Sequence, residues 1–378
     1  PSFDLHCMEA PNANLTQAIL TKANLERVHM WRSCLVAAQC KGSTWKGARL
    51  MGSIFQSADL TDALFNDADL SECSFRGCAM SNADFQGTLA VDADLSGAVA
   101  TGANFSRADM RGANLERAQL YGAVFTSTLA SRCNLRGADL SHANLHSVNL
   151  DNADLFDAKL EGTAFAEANF EGTHLRGARI EGATGHGCRL VEAKLQGAII
   201  KDSDLKGAFM QHADLSGAKV HGLRMEGASL QGAQLTDAVI EACEGGCASF
   251  SGAKLSNVSM RQVQLSRADF SRADLRGAKL VNITLRDCKL QHLKLQGASL
   301  VDCDLSGANL REANLDDVRL ERVQLDGTVA RLISARKSSW RSVSARGADL
   351  GDAEAASTEM EDVDLTDARL AGALFAQG

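Results

Sequence analysis

The sequence predicts an all-β protein built as a solenoid. Three observations carry that class: a hydrophobic period of five, a small residue two places before each large one, and turn-forming residues inside the unit. A helix repeats its apolar face every 3.6 residues and a strand every 2, so a strict five fits neither. Of the 75 residues whose numbers are multiples of five, 64 are Leu, Phe, Met, Ile, Val or Trp, and none is polar. The phase holds from residue 3 to residue 375 without insertion or linker. One continuous repeat domain over 1–378 is therefore expected.

Each position in the unit has a physical task. The large residue (Leu5, Leu15, Leu20 and onward to Phe375) fills the interior. The small one, most often Ala, lets the backbone turn close to the axis. Between them sits Asp or Asn, as in Ala58-Asp59-Leu60 and Ala103-Asn104-Phe105. Gly is common two residues after the large one, as in Leu95-Ser96-Gly97. Asp, Asn and Gly supply the tight and left-handed conformations a corner needs. Each unit then forms one short side of a coil, and stacked coils join through backbone hydrogen bonds.

Units such as Ala-Asp-Leu-Ser-Gly at 93–97 and Ala-Asn-Leu-Glu-Arg at 113–117 resemble the A-(D/N)-L-x-x repeats of the pentapeptide-repeat family, over essentially the whole chain. The resemblance implies a single right-handed quadrilateral β-helix with four pentapeptides per coil. Residues 20 apart should then stack, and the sequence agrees. Phe65, Phe85, Phe105 and Phe125 share one column. An unbroken Leu column runs from Leu95 to Leu315, and a third holds Ile180, Ile200, Val220 and Ile240. Seventy-five units give about 19 coils, and at about 4.8 Å per strand spacing a rod roughly 90 Å long.

Three departures test the packing logic. Trp340 occupies the large position, and its coil companions are Ala330, Ala335 and Ala345, which conserves volume. Trp45 similarly neighbours Cys40. Gly185 and Gly245 take the large position on the Phe column, where narrowing or small voids are expected.

Composition narrows the function. The net charge is −8, from 39 basic and 47 acidic side chains, which disfavours a nucleic-acid binder. No apolar run reaches membrane-spanning length. Eleven Cys without disulfide spacing favour a reducing, cytoplasmic setting, with secretion or injection as the alternative. Cys73, Cys78, Cys133, Cys188, Cys243, Cys288 and Cys303 hold the small inward position and read as Ala substitutes. His142 and His146, or Cys243 and Cys247, have metal-like spacings but diverge on a coil. Gly42-Ser43-Thr44-Trp45-Lys46-Gly47 lacks the order of a phosphate loop. No catalytic residue, cofactor or metal is expected, and the chain is read as no enzyme.

Function then belongs to the outer surface. Arg331, Arg336, Lys337, Arg341 and Arg346 form a basic stretch, followed by acids from Asp349 to Asp367. Residues 59–94 carry eight acids against one base, Arg76. Trp31, Met51, Leu89, Val91 and Leu129 are apolar at outward positions, as are Ile199, Val239, Val281 and Val301. Ala90 and Ala130 hold the neighbouring large slots, so inward folding of Leu89 and Leu129 is the alternative. The expected role is a non-enzymatic scaffold or adaptor for protein partners. The start at Pro1 and repeats reaching both ends suggest removed flanking domains or end-to-end dimers. The resemblance extends to repeat domains of bacterial effectors and secretion machinery. It also admits a DNA mimic that binds DNA gyrase, as in quinolone-resistance members. Those members are about half as long, dimerise through a C-terminal helix and carry loops, and this sequence shows neither feature. A plain structural spacer is the third reading.

Overall fold

The computed structural model describes residues 3–375 and, among them, contains no helix. The chain divides into two compact units, Pro1–Ala193 and Lys194–Gly378. Each is a parallel β-solenoid of about nine coils.

In the first unit the residue between small and large positions bridges to its equivalent one coil on. Asp4 pairs with Asn24, Glu9 with His29, Asn14 with Cys34 and Ile19 with Gln39, all parallel. Every offset is 20 residues, and four bridges per coil define four sides, as the resemblance implied and the sequence columns fit. A three-residue strand, β1 (Arg179–Glu181), also lies in this unit.

The second unit keeps the register and lengthens one side into strands. These are β2 (Ile199–Lys201), β3 (Lys219–His221), β4 (Val239–Glu241), β5 (Ser259–Arg261), β6 (Lys279–Val281), β7 (Ser299–Val301), β8 (Arg319–Glu321), β9 (Ser339–Ser344) and β10 (Glu359–Asp364). Consecutive strands pair in parallel at the same 20-residue offset, as Ile200 with Val220 and Leu320 with Trp340.

Backbone accounting explains the repeat. In the unit around Phe85, Phe85 donates its N–H to Asn104 O at 2.7 Å and Gly87 to Ser106 O at 3.0 Å. Leu89 donates back to Ala68 O, and Thr88 closes the corner onto Phe85 O. Four of five N–H groups are thus used. The fifth, on the first corner residue, goes to the Asp or Asn side chain two places earlier. Gln86 N–H donates to Asp84 Oδ1 at 3.1 Å, and Ser96 N–H to Asp94 Oδ1 at 3.0 Å. That single bond gives Asp and Asn their place between the apolar pair. The second corner residue is left-handed in unit after unit, as at Asp92 (φ 55°) and Gly97 (φ 65°).

The core is a set of ladders. Phe65, Phe85, Phe105 and Phe125 stack at 4.9–5.0 Å between ring centroids. Trp45 continues that ladder, nearly parallel to Phe65 at 5.8 Å. Phe55 and Phe75 stack on the opposite column and meet it edge-on. Both buried indoles use one device. Trp45 Nε1–H donates to Ser43 Oγ, which donates to Cys40 O, and Trp340 does the same through Ser338 to Ala335 O. Ala330, Ala335 and Ala345 are buried around Trp340. At Gly245 the gap is closed by Met225 and Leu265, whose side-chain atoms lie 3.3 and 2.9 Å from where a Cβ would stand. All seven Cys at the small inward position are buried, as is Cys40 in a large one, and Cys73, Cys78, Cys133 and Cys288 donate to a carbonyl 23 residues back. Burial pushes the thiols of Cys73, Cys78, Cys133, Cys188 and Cys288 up to about 12.

Candidate functional site

The C-terminal basic stretch lies on exposed corners but is electrically answered. Arg331 pairs with Asp352 at 2.9 Å and Arg336 with Asp316 at 3.2 Å. Arg341 pairs with Glu361 at 2.8 Å and Arg346 with Asp364 at 2.5 Å. Hydrogen bonds from Thr366 and then Arg346 hold the Asp364 carboxyl down to about 2. Of the five candidates, Lys337 makes no ion pair among the described residues. A partner docking there would compete with neighbouring coils for each arginine.

The acidic band of the first unit divides by position. Asp59, Asp69, Asp84 and Asp94 cap the N–H groups of Thr61, Ser71, Gln86 and Ser96. Asp62, Asp67, Glu72 and Asp92 are left-handed corner residues. Half of the band thus has a structural task that turn chemistry assigns.

The apolar candidates are exposed, yet they do not form one stripe. Leu89 and Leu129 are 52% and 45% exposed while Ala90 and Ala130 are buried, so neither leucine folds inward. Buried Thr88 and Thr128 hold the register there through bonds to Phe85 O and Phe105 O. Val91 and Leu89 sit one coil from Arg111 and Asp109, an ion pair at 2.6 Å that separates them from Leu129. Toward the other end, Asp69 and Ser71 separate them from Trp31 and Met51. Trp31 and Met51 share a column, with exposed Ile54 beside them. In the second unit Ile199, Lys219 and Val239 line a shallow depression of about 230 Å³ with His221 and Glu241. Val281 and Val301 pair on the same side, half-buried.

One charged feature was not singled out from the sequence. Between residues 10 and 58 there are six Lys or Arg and one acid, Glu26. Lys22, Arg27, Arg32, Lys41, Lys46 and Arg49 are all exposed, and none makes an ion pair among the described residues. The stems of Lys22, Arg27 and Arg32 lie 3.5–3.6 Å from the Cβ positions of Gly42, Gly47 and Gly52 on the next coil. Counting charge per coil, rather than along short runs, would have found this band.

Among the described residues no group of three or more His, Cys, Asp and Glu is placed to hold a metal. No helix there is long and apolar enough to cross a membrane.

The likenesses to known proteins follow the repeat. The family model described as "Pentapeptide repeat region" matches residues 48–125. The model "Pentapeptide repeats (8 copies)" matches successive stretches from 118–155 to 284–322. No curated protein matches the chain. Among solved structures, HetL from the cyanobacterium Nostoc sp. strain PCC 7120, a pentapeptide repeat protein involved in heterocyst differentiation regulation, is 28% identical. That match covers 65% of this chain and 90% of HetL, with a TM-score of 0.27. QnrB1, a plasmid-mediated fluoroquinolone resistance protein, is 20% identical over 49% of this chain and 90% of its own, with a TM-score of 0.33. A pentapeptide repeat protein from the Arabidopsis thaliana thylakoid lumen is 32% identical over 28% of this chain and 68% of its own, with a TM-score of 0.13. With its five-residue unit, its four-sided coils and models matching more than half its length, the chain belongs to the pentapeptide repeat family.

Proposed function

We propose that the protein is a non-enzymatic scaffold whose corners and sides bind protein partners. One observation carries this reading. The interiors are filled by apolar ladders, while the chemically distinctive side chains stand on exposed corners. Such a surface suits recognition by many shallow contacts rather than turnover in a cleft. A place in a bacterial effector or secretion assembly is the finer form of this proposal.

The test is a tagged pull-down from host lysate at two salt concentrations, read by mass spectrometry. A stoichiometric partner is expected. If none is captured at either salt, the scaffold reading gives way to a plain spacer. Charge reversal at Arg336, Lys337 and Arg341 then asks whether the C-terminal basic coil takes part.

The acidic band at 59–94 favours a second reading, a DNA mimic acting on gyrase. Its capping aspartates and the basic band beside it weigh against an extended DNA-like face. A gyrase supercoiling assay unaffected by excess protein would remove it.

A further inference from the structure

The basic band of the first unit is set apart by the exposed Trp beside it. On other coils several arginines find a carboxylate one coil away, as Arg322 does with Asp302 and Arg189 with Glu171, while Arg107, Arg132, Arg176, Arg261, Arg267 and Arg272 make no ion pair among the described residues. Here six cations face glycines, threonine and asparagine on adjoining coils, and Glu26 and Asp69 close no ion pair with Lys46 or Arg49. Unpaired like charges crowded on two coils raise a local positive potential and repel one another. An anion docking there relieves both.

The same side carries apolar surface. Trp31 is 36% exposed and Met51, its equivalent one coil on, is 41% exposed. Arg32 adjoins both, and His29 lies 6.3 Å from Trp31 between ring centroids. Exposed Trp flanked by Arg is the composition of an interface centre.

The band is also short. It spans two coils, about 10 Å along the axis. Asp4 and Glu9 lie on one side of it, and Asp59, Asp62, Asp67 and Asp69 on the other. A nucleic acid needs a continuous basic track, because duplex DNA carries a charge every ~1.7 Å. A longer polyanion would run into carboxylates at either end. A polypeptide segment matches the span.

Resting on the scaffold reading, we propose that this side docks an acidic polypeptide segment carrying apolar side chains. Its carboxylates meet Arg27, Arg32, Lys46 and Arg49, and an apolar side chain covers Trp31 and Met51.

The chain provides its own reporter. It has three Trp, and Trp45 and Trp340 are buried, so Trp31 is the exposed fluorophore. The probe is a short synthetic peptide of Glu-Glu-Leu repeats, titrated into the whole protein at low salt. Saturable binding with a blue shift of Trp31 emission is expected. The double variant Arg32→Glu with Arg49→Glu should bind about tenfold more weakly or worse, while Arg336→Glu with Arg341→Glu should bind as the parent does. Both positions are exposed, and thermal melts check that the variants fold. Lys46→Glu and the salt dependence of the parent serve as second readouts.

Four results overturn the proposal: no binding, equal binding of apolar-free polyglutamate, tighter binding of single-stranded oligothymidylate, or low-salt self-association lost in the double variant. The last would make the occupant a second copy. If the Arg32→Glu/Arg49→Glu variant still captures a stoichiometric lysate partner, this docking side falls while the scaffold reading stands.

Discussion

Trp340 offers the sharpest test of the packing account. Its side chain is 1% exposed, and its indole N–H donates to Ser338 Oγ at 3.0 Å. Trp340→Ala should cost about 3–5 kcal/mol, from lost burial and an unfilled cavity. The cost should sit at the upper end, because neighbouring coils are fixed at strand spacing and cannot collapse inward. Ala335 fills a large-residue slot in the same coil and is fully buried. In the parent, Ala335→Leu overpacks the coil and should cost about 1–3 kcal/mol. In the Trp340→Ala background the same change fills vacated space and should return about 1.5–3 kcal/mol. The substitution therefore reverses sign between backgrounds. Solenoids need not unfold in one step, so a global midpoint is a poor gauge. Native-state hydrogen exchange at the amides of Leu325, Ser344 and Ala345 reads the local opening energy directly. If Ala335→Leu destabilises both backgrounds equally, the effects are additive and volume exchange within the coil is refuted.

Other consequences follow from the same geometry. Cys7 and Cys247 are exposed and Cys34 half-buried, so a thiol reagent should modify three of the eleven cysteines in the native protein and the other eight only on unfolding. The thiols of Cys73, Cys133 and Cys188, held up at about 12 against 9.0 when unperturbed, make stability complete below pH 9 and falling as pH rises from 9 to 12. The unfolded chain loses those protons first, at up to roughly 4 kcal/mol per site. Cys133→Ala should flatten the fall in urea midpoint between pH 8 and pH 11 relative to the parent. Asp94→Ala removes the acceptor of Ser96 N–H and of Asn114 Nδ2–H, and should cost about 1 kcal/mol, read as faster exchange at the Ser96 amide. Asp94→Asn should retain most of that protection.

The fold was legible because one period carries it. The columns at Phe65, Phe85, Phe105 and Phe125 fit the 20-residue coil that the family resemblance implies, and the alanines around Trp340 point to a volume exchange. Less legible was why Asp or Asn stands between the apolar pair. The reason is one backbone N–H per unit that the backbone ladder between coils leaves open, and a carboxylate or amide side chain closes it. Leu89 shows the limit of reading residues singly. Beside an Ala in the large slot, it invited an inward fold that only the buried Thr88 and the backbone ladder rule out.

Charge shows the same limit, because in a solenoid the neighbours of a side chain are 18 to 21 residues away. Read along the chain, Arg331 to Arg346 is a basic patch. Read across coils, Arg336 answers Asp316, Arg341 answers Glu361 and Arg346 answers Asp364. Exposed pairs of this kind each contribute little to stability, yet together they offset the local potential a partner would sense. The cations from Lys22 to Arg49 are spread thinly along the chain and look unremarkable there. Across coils, Lys22, Arg27 and Arg32 meet Gly42, Gly47 and Gly52, which answer nothing. Their charge therefore remains available, and it adjoins the exposed Trp31. Other arginines, such as Arg261, Arg267 and Arg272, also lack an ion pair among the described residues, so it is the adjoining Trp31, the one exposed Trp of three, that distinguishes the early cations.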